Sequence, residues 1–522
     1  MPKWLKDTVF YEIYPQSFYD SNGDGIGDIN GITQKLDYIC GLGCNALWIN
    51  PCFDSPFKDA GYDVRDYKKV APRYGTNEDL VHLFEAAHEK GIHVLLDLVP
   101  GHTSEEHAWF RQSQKAEKNE YSGRYVWTNY WLEPAKGFPY IGGESERSGT
   151  YLLNFFKCQP ALNYGFLHPD QDWQMNVDHP DCIATREAIK DVMRFWMDQG
   201  CDGFRVDMAG SLVKNDDEYQ SGTAAVWSDV RRMMDAEYPD CAIVAEWSRP
   251  KVSLKAGFHM DFYLDHPGNG YSTLMRDYCN HSGGEDHSYF KKDAGGSIKP
   301  FLSEYLSWYS ATRGYGYISP ITCNHDTIRP RFSLSEEELK LAYAFLFTLP
   351  GVPFLYYGDE IAMRYQNLPT KEGGYIRTGS RTPMQWSGGK NLGFSIAEPE
   401  DLYLPTDLSV DAPTVERALA DKNSVLHTVR ALLALRHAQE DLQADALFEP
   451  VITADDKPFV YQRGSLLLAV NPTGKTLSAA SADTLPGSAL PESAEGIFSI
   501  GGGGTLTAGV LKMAPQSFVV MR

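Results

Sequence analysis

Short apolar runs alternate with helical patterns over most of the first 440 residues of the chain. This alternation is typical of repeated βα units, which build a parallel sheet covered by helices. Eight such runs are present, the number that a closed (β/α)8 TIM barrel requires. The candidate strands are Thr8–Pro15, Ala46–Pro51, His93–Pro100, Cys201–Met208, Ala242–Trp247, Gly257–Asp265, Tyr317–Asp326 and Val352–Glu360. The clearest helical patterns cover Ile32–Cys40, Glu78–Lys90, Ile183–Gln199, Ala224–Glu237 and Val415–Gln439. The sequence therefore predicts an α/β fold built on a TIM barrel.

Two stretches of the chain break this alternation. From Gly101 to about Met175 the sequence is rich in Gly, Tyr, Trp, Pro and Asn, and it is too long for a plain loop. Beyond residue 441, short alternating strands with Gly, Pro and Ser turns are typical of an antiparallel β-sandwich. We therefore predict a (β/α)8 barrel in residues 1–100 and 176–440, a small domain inserted after strand 3 in residues 101–175, and a C-terminal sandwich in residues 441–522.

The overall composition limits the partners of the protein. The formal net charge is −21, which argues against nucleic acid or an anionic membrane as a partner. No run approaches the ~20 apolar residues of a membrane helix, and the segment Met1–Asp7 lacks the apolar stretch of a secretion signal. The nine cysteines are odd in number and scattered, which favours buried free thiols over disulfides. We expect a cytoplasmic protein, a monomer or a weak homo-oligomer, that acts on a small molecule.

Three of the candidate strands deliver a carboxylate at or just past their C-terminal ends, namely Asp207, Glu246 and Asp326. In a barrel these ends converge on one face, and that face carries the chemistry of such enzymes. Taken singly, each residue could be a structural ion pair, an exposed loop residue or part of a turn. Taken together, three carboxylates indicate the acid, base and nucleophile that split an acetal bond.

The neighbours of two carboxylates fit different roles. Arg205 lies two residues before Asp207 on the same side of the strand, where its charge can keep a nucleophile ionised and oriented. Glu246 ends an apolar run beside Trp247, and desolvation there favours the protonated form that a general acid needs.

Two histidines are candidates for holding sugar hydroxyls. His325 precedes Asp326 directly, and the two could strengthen their contacts as a sugar ring distorts. His102 follows the third strand and would point to the same face, although a lone histidine after a strand is more often structural. Asp97 could orient His102 or brace the barrel wall.

The loop Asp20–Asp28 has a separate chemistry. Oxygen-donating side chains fall at its first, third, fifth and ninth places, a glycine at the sixth, and the seventh residue offers a backbone carbonyl. This spacing follows the first nine positions of an EF-hand loop, although the twelfth residue is Gly31 rather than Glu. We predict a structural Ca²⁺ ion and no organic cofactor, with Mg²⁺ or a metal-free turn as the alternatives. The predicted ligands are Asp20, Asn22, Asp24, Ile26 and Asp28.

At these residues the chain resembles the α-amylase superfamily of glycoside hydrolases and transglycosylases. The resemblance extends from Trp4 to about Trp386. The segments Val9–Phe18, Gly61–Tyr67 and Arg381–Trp386 look like the branch that holds oligo-1,6-glucosidases, α-glucosidases, and trehalulose and trehalose synthases. The resemblance implies the TIM barrel, the inserted domain and the C-terminal sandwich that the sequence pattern also predicts.

The resemblance also implies a mechanism, a retaining double displacement. Asp207 would be the nucleophile that forms a β-glucosyl-enzyme, Glu246 would protonate the leaving oxygen and then deprotonate the incoming water or sugar, and Asp326 would stabilise the transition state. The residues that match those gripping the terminal glucose are Tyr62, Asp63, His102, Arg205, His325 and Arg377, with Arg381 as the rival for the last assignment. The Asp20–Asp28 loop matches the calcium loop of the family.

The linkage preference stays open, because Met208 matches neither the Val of relatives that cut α-1,6 links nor the small residue or Thr of α-1,4-specific ones. Our leading hypothesis is a retaining, exo-acting α-glucoside hydrolase for short malto- or isomalto-oligosaccharides. The alternative is a transglucosidase or a sugar isomerase of the trehalose synthase type that uses the same residues. A third hypothesis, a non-catalytic barrel, is disfavoured because all three carboxylates are present.

Overall fold

A closed barrel of eight parallel strands forms the centre of the molecule. The structure, a computed structural model, describes residues 1–135, 137–279 and 285–522. The barrel strands are β1 (Phe10–Ile13), β2 (Ala46–Ile49), β3 (His93–Leu98), β4 (Gly203–Val206), β5 (Ala242–Ala245), β6 (Met260–Phe262), β7 (Tyr317–Ser319) and β8 (Phe354–Tyr356). Each strand lies inside its predicted run, and the predicted fold class is confirmed.

The strands pair in chain order, and β8 returns to pair with β1. The last junction closes just beyond the end of β7, where the Phe354 N–H donates to the carbonyl of Pro320 at 2.9 Å and the Thr322 N–H donates to the carbonyl of Phe354 at 3.0 Å. All eight strands are parallel, so their C-terminal ends lie on one rim.

Aromatic side chains fill the inside of the barrel. The rings of Phe10 and Phe354 stack with centroids 4.3 Å apart, and Trp48 lies 5.3 Å from Phe262. These side chains are almost completely buried. Helices cover the outside of a parallel sheet, so its strands are apolar on both faces, which explains why they read as continuous apolar runs.

The α-helices confirm most of the predicted helical segments, with bounds shifted by a few residues. They are Ile29–Gln34, Leu36–Leu42, Asn77–His88, Ala108–Ser113, Pro180–Met197, Ser221–Glu237, Pro250–Ala256, Ser272–Met275, Lys299–Thr312, Glu336–Thr348, Val415–Ala420 and Val425–Ala438. The single helix predicted over Val415–Gln439 is wrong. The first helix ends at Ala420. A second helix begins at Val425, where the Ser424 side chain caps it by accepting a hydrogen bond from the His427 N–H.

Residues 101–175 contain little regular structure besides one short helix. The strands Tyr140–Gly142 and Thr150–Leu152 pair in antiparallel fashion, and single bridges join Leu153 to Pro160 and His102 to Ala161. A separate apolar cluster includes Val126 and Phe166. The segment therefore packs around its own small core at the C-terminal side of β3. The predicted domain limits stay predictions.

The C-terminal residues form two antiparallel sheets. The five-stranded sheet contains, in spatial order, Phe448–Ile452, Phe459–Arg463, Leu466–Asn471, Ser517–Met521 and Gly496–Ile500, and the four-stranded sheet contains Leu477–Ala480, Val510–Met513, Gly504–Thr507 and Ser493–Ala494. Apolar residues from both sheets, among them Val519 and Leu511, pack into one cluster. This arrangement is the predicted sandwich.

Two buried arginines bind carbonyls around the C-terminal end of the helix Glu336–Thr348. Arg436 belongs to the helix Val425–Ala438, and Arg463 belongs to the strand Phe459–Arg463 of the five-stranded sheet. Arg436 donates to the carbonyls of Phe347 at 2.9 Å, Leu349 at 3.0 Å and Gly351 at 2.6 Å. Arg463 donates to the carbonyl of Thr348 and, at 2.7 Å, to that of Gln443. Most of these carbonyls lie at the C-terminal end of the helix Glu336–Thr348, where orphan carbonyls and the helix dipole favour cations.

Two further predictions concern the environment of the protein. Within the described ranges, no helix is both long enough and apolar enough to cross a membrane. Eight cysteines are free thiols, and most of them are buried. The side chain of the ninth, Cys279, lies outside the described part of the chain.

Candidate active site

The three predicted carboxylates line one cavity at the C-terminal rim of the barrel. Asp207 follows β4 directly, Glu246 follows β5, and Asp326 lies seven residues after β7. The cavity has a volume of about 500 Å³, which is in the range of small-molecule sites. Residues far apart in the sequence meet here because the parallel strands all end on this rim.

Arg205 organises two of these carboxylates from the end of β4. Its Nη1 lies 3.1 Å from Oδ1 of Asp207, and its Nη2 lies 2.8 Å from Oε1 of Glu246. Asp97 on β3 holds the same guanidinium at 2.7 Å. The Arg205 side chain is 1% exposed, so one buried cation fixes three acidic side chains. Asp97 braces this wall, and its contacts run to Arg205, Trp48 and Tyr62.

The protonation of Asp207 and Glu246 is shifted toward neutral pH. Burial raises the pKa of each carboxyl to about 7, although the positive charge of Arg205 opposes the rise. Both groups therefore titrate near neutral pH, where a protonated carboxyl can donate a proton and an ionised one can attack as an anion.

Asp326 is ionised, in contrast to that pair. Burial raises its pKa, but His325, Arg377 and Arg381 outweigh burial, so the pKa lies well below its usual range. Nη1 of Arg377 and Nη2 of Arg381 both lie 2.9 Å from its Oδ1. Of the two arginines, Arg377 lines the cavity, whereas Arg381 is buried behind it and donates to the carbonyl of His325. Both arginines predicted as alternatives for the glucose-binding position therefore bind Asp326. Arg377 is the one that also lines the cavity, and its role in binding glucose stays a prediction.

The structure brings Asp59, rather than the predicted Asp63, to the cavity wall. The Asp63 carboxylate accepts the Ser55 hydroxyl at 3.0 Å and the backbone N–H groups of Lys58 and Asp59, and so holds its own loop. Oδ1 of Asp59 lies 3.6 Å from Nη2 of Arg377. A substrate role for Asp63 stays a prediction, and Asp59 is the carboxylate that a bound sugar would meet.

The predicted residues Tyr62, His102 and His325 lie together on the rim, and Tyr62 and His102 line the cavity. Tyr62 stacks on His325 with ring centroids 5.4 Å apart, and its hydroxyl lies 2.6 Å from Nε2 of that ring. His102 contacts the carbonyl of Tyr62 at 3.2 Å and the amide nitrogen of Asn154 at 3.1 Å. Burial lowers the pKa of His102 to about 3, so its imidazole is neutral. Nε2 can then donate to the Tyr62 carbonyl while Nδ1 accepts from the Asn154 amide.

Two buried polar side chains, Glu12 and Asn50, contact the His325 ring. Nδ1 of His325 is 2.9 Å from Oε1 of Glu12 and 3.1 Å from the amide nitrogen of Asn50. Burial raises the pKa of Glu12 well above its usual range. Oε2 of Glu12 and Oδ1 of Asn50 find no hydrogen-bond partner among the described atoms. A neutral Glu12 fits these contacts, because its proton can be shared with His325 in a space that strongly disfavours a carboxylate.

Sequence reasoning missed several residues of the site. Asn154 and Phe155 come from the inserted segment, and Gly101 leaves room for Asn154, because a Cβ at Gly101 would lie 2.7 Å from its amide nitrogen. Lys214 lies behind Asn154, with Nζ 2.6 Å from the carbonyl of Ser211, and burial lowers its pKa to about 8. No motif marks these positions, since they meet the rim only through long connections.

On the far side of Glu246, the cavity wall is built by residues that follow β4 and β5. They are Met208, Gly210, Ser211, Gln220, Trp247 and Arg249. Met208 has a left-handed backbone with φ 43°, and its N–H donates to Oε2 of Glu246 at 3.0 Å. Glu246 is therefore held between this N–H and Arg205, with 17% of its side chain exposed to the cavity.

The predicted metal loop is compact and lies outside the cavity. Asp20 accepts the N–H groups of Asn22, Gly23 and Gly25, and Asp28 caps the following helix through the Gly31 N–H. Asp20 and Asp28 are buried, whereas Asn22 and Asp24 are exposed. The donor set is all oxygen, which suits a hard cation. Within the described ranges, no three His, Cys, Asp or Glu side chains converge as a metal site, so any ion here would also need the Asn22 amide or backbone oxygens.

Fold and site together define an enzyme of the TIM-barrel class with three carboxylates gathered on its C-terminal rim. The sequence model of the family described as alpha amylase, catalytic domain, matches residues 12–445. The protein belongs to this family.

Named relatives agree with this placement. The chain is 33% identical over 485 residues to the trehalose synthase/amylase TreS of Mycolicibacterium smegmatis, a match that covers 83% of this chain and 76% of that protein. It is 32% identical over 555 residues to the oligo-1,6-glucosidase of Heyndrickxia coagulans, covering 92% and 94% of the two chains. It is also 31% identical over 513 residues to the glucan 1,6-alpha-glucosidase of Streptococcus pneumoniae, covering 88% and 89%.

Solved structures share the whole architecture. The trehalulose synthase MutB of Pseudomonas mesoacidophila MX-45 superimposes with a TM-score of 0.80 at 23% identity, over 100% of this chain and 99% of that one. A mutant of the isomaltulose synthase of Erwinia rhapontici NX5, in complex with sucrose, superimposes with a TM-score of 0.79 at 24% identity and the same coverage. At these identities the likeness shows the fold.

Proposed function

We propose that the protein is a retaining α-glucoside hydrolase for short malto- or isomalto-oligosaccharides. The observation that carries this proposal is the sharing of one buried guanidinium by Asp207 and Glu246, at 3.1 and 2.8 Å. This contact keeps two carboxyl groups, each with its pKa raised to about 7, around a single sugar-sized space. A retaining glycosidase needs such a pair, one to attack the anomeric carbon and one to protonate the leaving oxygen.

The first displacement uses the two carboxyl groups in opposite senses. Asp207 Oδ attacks the anomeric carbon while Glu246 gives its proton to the glycosidic oxygen, so the bond to the leaving sugar breaks and a β-glucosyl ester forms. In the second displacement Glu246 removes a proton from water, and the water oxygen attacks the same carbon and frees Asp207. Asp326 is an anion throughout and can accept hydrogen bonds that the hydroxyls of the distorted ring donate, with Arg377 and Arg381 holding it in place.

The Asp59 side of the cavity supports action at a chain end. Arg377 and Asp59 approach each other to 3.6 Å, and the Gln159 amide donates to the other oxygen of Asp59 at 2.7 Å. Phe156 packs behind them, within 3.0 Å of the position that a Cβ of Gly373 would take. We infer that this wall ends the cavity beyond one terminal glucose, which is the arrangement that an exo-acting enzyme needs.

A transglucosidase or isomerase is the second candidate, and the 33% identity to TreS favours keeping it. The two functions share every carboxylate and differ in whether water or a sugar intercepts the glucosyl-enzyme. The test is to incubate the protein with maltose, isomaltose, sucrose, trehalose and maltotetraose, and to separate the products. We expect glucose as the main product. Trehalose or another rearranged disaccharide as the main product would favour the second candidate, and no turnover of any substrate would overturn both.

We also propose a structural Ca²⁺ ion in the Asp20–Asp28 loop. The all-oxygen donor set and its spacing support a hard cation, bound by Asp20, Asn22, Asp24, Ile26 and Asp28. The ion would lie at the connection between β1 and the helix Ile29–Gln34, which Asp28 caps. It would stabilise this connection and take no part in the chemistry.

Cytoplasmic location and a monomeric or weakly associated state complete the proposal. The eight free cysteines support a reducing compartment, because thiols persist there and disulfides form outside it. Size-exclusion chromatography with light scattering measures the oligomeric state directly.

A further inference from the structure

The cavity extends past Glu246 into a space that the mechanism above does not use. The closed end holds Asp59, Arg377 and Asp326, whereas Trp247, Gln220 and Arg249 line the opposite side. Glu246 protonates the oxygen that leaves, so the leaving sugar lies beyond Glu246 as seen from Asp207. The second wall therefore faces the leaving sugar and any sugar that later replaces it.

One side chain ties this wall together. Oε1 of Gln220 accepts the Trp247 indole N–H at 2.8 Å and Nη1 of Arg249 at 2.6 Å. Its amide nitrogen donates to the carbonyl of Gly210 at 2.6 Å. Three loops meet at this single amide: the turn after the nucleophile, the turn after the acid and the start of the helix Ser221–Glu237.

The Trp247 indole is further fixed by the bare backbone of Gly210. A Cβ at Gly210 would lie 2.4 Å from Nε1 of the indole, closer than a real Cβ contact allows, so only glycine admits the ring in this place. The other side of the wall is anchored too, because Nη2 of Arg249 donates to the carbonyl of Glu218 at 2.9 Å. The indole and the guanidinium thus stand in one defined arrangement.

We propose that Gln220 is the positioning residue of the acceptor subsite, fixing Trp247 and Arg249 as the wall on which the leaving or incoming sugar binds. The inference rests on the proposed glucosidase function. The ligand class is a neutral hexose unit: the indole offers an apolar ring to a pyranose face, and the Arg249 guanidinium offers donors to its hydroxyls. Gln220 has its oxygen and its nitrogen engaged by protein groups, so it acts on the sugar through these two neighbours.

The test compares substrates that do and do not occupy this wall. α-Glucosyl fluoride carries a leaving group too small to reach it, whereas a disaccharide places its second ring there. In Gln220→Ala we expect kcat/KM for the disaccharide that the wild type cleaves fastest to fall about tenfold, with kcat/KM for α-glucosyl fluoride within about twofold of wild type. Any transfer products should fall with the disaccharide activity.

Two further variants separate positioning from general damage. Gly210→Ala pushes the indole away while the Gln220 side chain is kept, and should give the same selective loss. Gln220→Glu keeps an oxygen for Trp247 and Arg249 but loses the donor to the Gly210 carbonyl, so it should restore part of the disaccharide activity. Gln199→Ala is the matched control, because Gln199 is a half-buried glutamine whose side-chain amide donates to the Phe195 carbonyl at 3.0 Å, outside the cavity lining. It should change kcat/KM for neither substrate.

The outcomes are distinct. Equal losses with both substrates, or no loss with either, in a folded Gln220→Ala protein would overturn the inference and leave the glucosidase proposal standing. A wild-type protein that turns over neither α-glucosyl fluoride nor any α-glucoside would overturn the proposed function and this inference with it.

Discussion

Buried arginines in two regions of the molecule have different partners: carboxylates in one region and backbone carbonyls in the other. At the rim of the barrel, Arg205 contacts the carboxylates of Asp97, Asp207 and Glu246. Around the C-terminal end of the helix Glu336–Thr348, every side-chain hydrogen bond that Arg436 and Arg463 make in the described structure runs to a backbone carbonyl.

The difference separates chemistry from architecture. A carboxylate can gain or lose a proton, and burial moves the pKa of Asp207 and Glu246 to about 7, so the charge balance around Arg205 changes in the working pH range. A carbonyl cannot titrate, so the hydrogen-bond acceptors of Arg436 do not change their charge with pH. Removing charged groups from water costs free energy in both regions. Only in the first region does burial shift the pKa of carboxyl groups that can react.

The largest expected effect comes from breaking the first region at Asp207. Asp207→Asn removes the attacking oxygen anion, and we expect turnover to fall by about 10⁴-fold or more with the circular dichroism spectrum unchanged. The matched control is Asp359→Asn, which disrupts another buried pair, 2.9 Å from Arg329 and outside the cavity lining. It should lower stability and keep kcat per folded molecule. Near-normal turnover in Asp207→Asn would contradict the assignment of the nucleophile.

The second region predicts the opposite profile. Arg436→Met leaves the carbonyls of Phe347, Leu349 and Gly351 without this donor, and each buried orphan costs about 1–3 kcal/mol. We expect the free energy of unfolding to fall by about 3 kcal/mol or more, measured by urea denaturation, with kcat per folded molecule unchanged.

The control for this variant is Arg430→Met, an exposed position on the same helix, which should change stability by less than about 0.5 kcal/mol. Equal stability of the two variants would show that the carbonyl contacts of Arg436 do not stabilise the end of the helix Glu336–Thr348.

The pH dependence of stability distinguishes burial from catalysis. The pKa of Glu246 rises from 4.5 to about 7 on folding. Below about pH 4.5 both states hold the proton, and the stability present there is lost as pH rises through about 7, by about 3 kcal/mol. Glu246→Gln removes this loss, so its Tm relative to wild type should climb from pH 5 to 7 and then level off, while turnover is abolished.

Glu360→Gln sharpens that measurement. Glu360 is buried away from the cavity between the hydroxyls of Tyr11 and Tyr38, both at 2.7 Å, and burial raises its pKa to about 7 as well. It should show a similar climb in relative Tm with activity retained. A flat Tm difference across this pH range in both variants would refute the raised pKa values.

The smallest expected effect concerns the Asp20–Asp28 loop, a third place that gathers acidic side chains. Adding Ca²⁺ at 100 times its Kd to chelator-treated protein should stabilise the fold by about 2.7 kcal/mol and leave kcat nearly unchanged. Asp24→Ala should abolish the shift in Tm, and Asp37→Ala, an exposed aspartate outside the loop, should keep it. An unchanged Tm on chelation and on addition of either Ca²⁺ or Mg²⁺ would favour the metal-free turn.

The sequence predicted the barrel well because the signal is local. Each barrel strand is a short apolar run, and the carboxylates at or beyond three strand ends needed only the rule that parallel ends share a rim. The break between Ala420 and Val425 shows the limit: the apolar spacing continues, but the polar stretch before Ser424 favours a cap over a continuous helix.

Contacts made by long connections escaped prediction. Asp59 and Asp63 lie four residues apart in one motif, and the left-handed turns at Ala60 (φ 51°) and Gly61 (φ 102°) decide that Asp59 faces the cavity while Asp63 faces its own loop. Gln220 is even harder to predict, because no sequence pattern indicates that its amide contacts the turns after two different strands. Backbone conformation and loop packing, which composition does not encode, choose these residues.

Arg463 joins the five-stranded C-terminal sheet to a barrel helix, and this contact has a consequence for how such proteins can be recombined. The strand Phe459–Arg463 supplies a donor to the carbonyl of Thr348, more than a hundred residues upstream. A C-terminal module grafted from a relative would dock without strain only when it brings an equivalent cation at that place. In a chimera series, the presence of that single side chain should therefore decide which fusions express as intact enzymes.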